Sequence, residues 1–175
     1  MHMTLAEIVS RQQERAATVA DEVPHWQARR DKWLKEINRL FTDITDWLQQ
    51  AGVGADAIKK TQQTVYEERL GHYSTPVLTV TIGLHRVTFR PKGTFLMGAY
   101  GRIDATSDQP DTPIIKLVAD VDLTWAATPD TPAHDQDWQW LIYPGGARPG
   151  GGRLSQDTFT SLMALLLGES LTVGA

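Results

Sequence analysis

The chain of 175 residues contains no cysteine. That absence removes thiolate zinc sites, iron–sulfur clusters, cysteine nucleophiles and any disulfide framework. Long apolar runs are missing too. The longest, Leu162 to Leu167, falls far short of the ~20 residues that span a bilayer. The opening Met1-His2-Met3-Thr4-Leu5-Ala6-Glu7 has no basic stretch followed by an apolar one and does not read as a signal peptide. These absences point to a cytoplasmic protein with no membrane partner. Positive charge is not in excess either. A formal net charge of −4 argues against general nucleic-acid binding and leaves room only for a local basic patch.

Catalytic signatures are equally scarce. His2, His25, His72, His85 and His134 show neither zinc-ligand spacing nor a His-Glu-x-x-His pattern, and no Gly-x-Ser-x-Gly elbow occurs. A glycine-rich loop runs from Pro144 to Arg153, but it ends in Gly152-Arg153-Leu154 where a P-loop requires Gly-Lys-Ser/Thr. Asp104 followed by Ile114-Ile115-Lys116 lacks the acid that magnesium-dependent nucleases place two residues before the lysine. The stretch Asp104 to Asp111 has neither the spacing nor the glycine of an EF-hand. No metal and no cofactor is implied, and the reading leans away from catalysis.

What is present is an ordinary folding composition, 41% hydrophobic and 22% charged. A chain of this length can bury about two thirds of its unfolded surface, so it needs no covalent staple. It reads as one domain over 1–175, divided into a helical segment (1–52), a sheet (60–144), the glycine-rich loop (145–153) and a closing helix (155–168). Its compactness fits a microbial protein.

The helical segment carries a stripe at alternating steps of four and three: Val19, Val23, Trp26, Arg30, Trp33, Ile37, Leu40, Ile44 and Trp47, widened by Leu34, Phe41 and Leu48. Only Arg30 is out of character. Such a stripe packs on a sheet or on another helix. Gly52 and Gly54 end it. Pro24 lacks an amide hydrogen and disfavours a helical Val23, which predicts a break. The expectation is a helix over about Leu5 to Ala20 and a second from about Pro24 to Gln50, capped by Asp21.

After Gly54 the period shortens to that of strands. Thr64–Leu70, Pro76–Ile82, His85–Arg90, Thr94–Ala105, Ile114–Trp125 and Trp138–Tyr143 read as strands joined by connections too short for helical crossovers, so the sheet is expected to be antiparallel, in meander order, with five to six strands. Ser155 is placed to cap a last helix, Leu154 to staple onto Phe159, Leu162, Met163, Leu165, Leu166 and Leu167 to face the core, and Gly168 to end it. The order gives an α+β layer fold.

The candidate functional residues form three groups. Arg86, Arg90 and Arg102, with Lys92 nearby, make a local basic strand face; Arg102 and Asp104 share a face and can pair, with Arg86 or Arg90 across the ladder. Arg148 and Arg153 in the glycine-rich loop could assist an anion at the following helix start, although three successive glycines favour a connector. Between these two groups in the chain, and apart from the three, Asp104, Asp108, Asp111, Asp120, Asp122, Asp130, Asp135 and Asp137 make an acidic stretch, mostly turn formers beside proline and threonine. The third group is the helix stripe: Trp26, Trp33, Ile37, Ile44 and Trp47 cover the protein's own sheet or serve as an interface. Trp138 and Trp140, two apart on a strand, share one face and suit a core. The leading expectation is a non-enzymatic protein-binding or assembly module, dimeric through its N-terminal helix. The alternatives are a small-ligand-binding or hydrolytic protein using Arg102/Asp104 or the Gly145–Gly152 loop, and a weak nucleic-acid binder through the basic strand face.

Overall fold

The computed structural model describes residues 3–94, 100–121, 137–144 and 152–169, and it places nearly all of the apolar periodicity in one core. Helix α1 spans Leu5–Gln50 as a single element of 46 residues, about 69 Å at ~1.5 Å per residue. The break expected at Pro24 does not occur. Proline removes one backbone hydrogen bond from a helix interior, and here the helix is held on both sides of that gap. On the N-terminal side Thr4 and Glu7 form a reciprocal capping box: the Thr4 amide donates to Glu7 Oε2 at 2.7 Å and the Glu7 amide to Thr4 Oγ1 at 3.3 Å. On the C-terminal side the apolar stripe is buried against the sheet.

Among the described residues seven antiparallel strands follow, each paired with its neighbour in chain order. They are β1 (Ile58–Glu67), β2 (Gly71–Ile82), β3 (His85–Gly93), β4 (Gly101–Ser107), β5 (Ile115–Val121), β6 (Trp138–Tyr143) and β7 (Gly152–Arg153). The count exceeds the expected five to six because β7 forms at the end of the glycine-rich loop, opposite Leu141 and Ile142. β1 starts six residues earlier than the sequence pattern indicates. Its first half, Lys59 to Gln62, is an exposed edge strand without apolar alternation, paired to β2 through the backbone. Leu70 belongs to the β1–β2 turn rather than to β1, and Ile114 precedes β5 and is exposed. The parts of the expected strands that fall on 95–99 and 122–125 lie outside the described residues.

One sheet face is dry. Leu78 and Val80 of β2, Val87 and Phe89 of β3, Ile103 and Ala105 of β4, and Ile115, Leu117 and Ala119 of β5 are buried on the side covered by α1. Trp138 and Trp140 join them from β6, and the Trp140 ring lies 5.9 Å from that of Trp33. From α1 come Trp33, Ile37, Leu40, Phe41, Ile44 and Leu48, each contributing about 1.5–3 kcal/mol by leaving water. Helix α2 (Gln156–Leu167) closes the core with Phe159, Leu162, Met163 and Leu166, between the Ser155 cap and a left-handed Gly168. Leu165 is exposed instead of facing inward, because it lies on the flank of α2, outside the arc of Phe159, Leu162, Met163 and Leu166. No helix among the described residues is long and apolar enough to cross a membrane.

Gly101 explains how α1 comes so close. A Cβ at this position would overlap the six-membered ring of Trp33, so the strand admits the indole only where it carries no side chain. Gly101→Ala is expected to cost about 1–3 kcal/mol through overpacking, read from urea unfolding midpoints. Trp33→Leu in the same background should recover part of that loss, and strictly additive effects would show that the two positions do not press on each other.

Candidate functional site

The uncovered sheet face carries the charged residues singled out in the sequence. Strand pairing sets Arg90 of β3, Asp104 of β4 and Lys116 of β5 in one row. Arg102, two residues from Asp104 on the same face, grips it with two bonds, Nε to Oδ1 at 2.6 Å and a terminal nitrogen to Oδ2 at 2.8 Å. Asp104 is buried beneath that fork. The hydrogen bond to Asp104 raises the Arg102 guanidinium above its usual range. Arg90 does not complete the cluster, since its guanidinium donates to Gln63 Oε1 at 3.0 Å. Gln63 in turn donates to Thr75 Oγ1 at 3.0 Å and to the Pro91 carbonyl at 2.8 Å. These polar groups satisfy one another, which suits a braced sheet surface better than a ligand site.

The other predicted positions are scattered. Arg86 sits near the start of β3, where its amide donates to Asp108 Oδ1 at 2.8 Å. That bond, with His85 Nδ1 at 3.5 Å from the same oxygen, holds the Asp108 carboxyl below its ordinary value. Arg153 stands on β7 beside a small hollow of about 140 Å³ whose lining includes Glu36, Asp43, Trp138 and Trp140. Glu36 is buried and bridged by Lys32 at 3.0 Å. Arg148 lies outside the described residues, as do Asp122, Asp130 and Asp135. Among the described residues no group of three or more histidines and carboxylates is placed to hold a metal.

The helix stripe divides into two environments. Trp33, Ile37 and Ile44 are fully buried in the protein's own core, the Trp47 ring lies tilted 5.2 Å from that of Phe159, and Trp26 is half-buried under two arginines. This part covers the sheet. Toward the N-terminus, every residue from Met3 to Ala17 is exposed, including Leu5 at 75%, Ile8 at 42% and Val9 at 45%. The same four-and-three spacing continues backward through Ala16, Gln12, Val9 and Leu5. The spacing is legible in the sequence, but Gln12 and the small Ala16 interrupt its apolar character before Val19. Leu5, Ile8 and Val9 are thus the surface residues that sequence reasoning missed.

A second unforeseen group is a buried clamp. The Glu67 carboxylate at the end of β1 accepts from the Tyr73 hydroxyl at 2.5 Å, from the Thr94 amide at 2.7 Å and from Thr94 Oγ1 at 3.1 Å. Arg29 of α1 donates to the Thr94 carbonyl at 3.0 Å. One carboxylate therefore ties β1, β2 and the end of β3 together, and α1 is fastened to the same point. Gly93 fits this corner because a Cβ there would crowd the Glu67 carboxylate, within 2.9 Å of Oε1. Burial, and then the hydrogen bond to Glu67, push the Tyr73 hydroxyl well above its ordinary value.

No family model, curated protein or solved structure matches the chain.

A tyrosine whose folded-state value is raised stabilises the protein fully below its unfolded value near ~10, and that stability is lost as pH rises above it. Urea midpoints are therefore expected to fall steadily above pH ~10. Tyr73→Phe should flatten that alkaline slope while costing about 1–3 kcal/mol at neutral pH, because Glu67 loses a partner. An unchanged slope in the variant would assign the alkaline loss to other groups.

Proposed function

We propose that the protein is a non-enzymatic assembly module that pairs with a second copy of itself through the exposed N-terminal part of α1. The observation that carries this reading is that one helical spacing, interrupted by Gln12 and Arg30, places apolar residues in two environments. From Trp33 onward the stripe is used up against the sheet, whereas Leu5, Ile8 and Val9 extend it with nothing from the described chain over them. A lone exposed apolar side chain is ordinary, but a run in helical phase is the pattern of a helix that packs on another helix.

A second copy suits the charges. Between Thr4 and Ala17 the chain carries Glu7 and Glu14 against Arg11 and Arg15, so two identical segments meet without net repulsion. Helix capping supports the same reading. The Thr4–Glu7 box organises the first turn, and the Thr4 amide bond holds the Glu7 carboxyl below its usual value. The cap biases the segment toward a helix, and since an isolated helix of this length is marginal in water, packing on a second copy completes its ordering.

Light scattering on a size-exclusion column, run over a dilution series, checks the proposal. The wild type should run as a dimer that dissociates on dilution. A Leu5→Glu, Ile8→Glu, Val9→Glu triple variant should be monomeric throughout, with its core unfolding midpoint unchanged. A wild-type monomer at the highest concentration would refute self-pairing.

A further inference from the structure

Trp26 and Arg29 of α1, the β1–β2 turn at Glu67, Glu68 and Arg69, and Lys92–Gly93 at the end of β3 enclose an open cleft of about 590 Å³. The volume lies within the usual range for small-molecule sites. Its charges are not equally available. Glu67 turns both carboxylate oxygens into the clamp with Tyr73 and Thr94. Arg69 and Lys92 are exposed, and among the described residues neither has a carboxylate within ion-pair distance. Arg69 lies over the Trp26 indole, its guanidinium carbon 4.9 Å from the ring centre. Arg29 approaches the same ring at 5.9 Å and the Tyr100 ring at 5.5 Å.

A guanidinium lying over an indole is attracted by the ring face, which accepts none of its N–H donors. Those donors match the two oxygens of a carboxylate or phosphate. A lysine nearby adds a movable second charge, and the indole edge offers a flat apolar wall. Among the described lining residues, three cations stand against Glu67 and Glu68 and leave one net positive charge, which balances a small anion and not a polyanion.

We infer that this cleft binds a small molecule bearing a single oxyanion group, held edge-on by Arg69 and seconded by Lys92, with its flat or apolar part against Trp26. The inference is independent of self-pairing, because the cleft lies where α1 meets the sheet and not on the exposed stripe.

The test follows the Trp26 indole N–H by NMR, assigned through Trp26→Phe, at constant ionic strength. Inorganic phosphate, phenyl phosphate and benzoate are titrated separately. A saturable shift of that signal with the phosphates or with benzoate supports the site and shows which oxyanion it prefers. Arg69→Ala and Lys92→Ala should each weaken binding by about ten-fold, the loss expected of one charge-assisted hydrogen bond. Lys116→Ala, on the far sheet face, should leave it unchanged. No saturable shift with any of the three probes, or equal binding in both cleft variants, would overturn the inference.

Discussion

The structure depends on the contact between one stripe of α1, Trp33 to Leu48, and the dry face of the sheet. Each strand that supplies apolar residues to that face is held in register by its neighbour, and a slip by one residue would turn every such side chain outward. The contact also explains isolated features elsewhere. Gly101 has no side chain because Trp33 occupies its place. Glu36, buried on the same helix, is tolerated because Lys32 lies one turn away and bridges it. An unpaired carboxylate at that depth would cost several kcal/mol.

Because α1 is longer than the surface it covers, a single helix has two jobs. Its C-terminal part is a structural layer, and its N-terminal part relies on capping and on residues of good helix propensity. The sheet has the same asymmetry between its faces. On the uncovered face, Arg102–Asp104 and Arg90–Gln63 close on themselves, so this charged surface is braced internally. The cleft at Trp26 differs because, among the described residues, the side chains of two of its cations, Arg69 and Lys92, have neither an ion pair nor a hydrogen-bond acceptor. What separates a bracing cluster from a binding one here is therefore whether the charges are already satisfied, and not how many there are.

Much of this architecture could be read in the sequence, and the misses have identifiable causes. The four-and-three spacing located the core face of α1, and short connections between alternating segments required an antiparallel meander. Ser155 and Gly168 bracketed α2 correctly because caps are local chemistry. Pro24 is tolerated inside α1 because the lost hydrogen bond and the restriction on Val23 are local costs, and the helix is capped on one side of them and packed on the other. The start of β1 was hidden because an exposed edge strand has no dry face to impose alternation on Lys59, Lys60, Thr61 and Gln62. The Glu67 clamp was invisible for a different reason. Its partner Thr94 lies 27 residues away, and only the completed sheet brings the two together.

The central claim is that the first turns of α1 are a docking element, ordered by a second copy and not by the rest of the chain. Amide hydrogen exchange over residues 8 to 17, measured across a wide dilution series, addresses it most directly, since local opening reports the stability of that segment alone. The account predicts protection that grows with protein concentration in this segment and stays constant across Trp33 to Leu48. Exchange in the segment that is equally fast, or equally slow, at every concentration would contradict it.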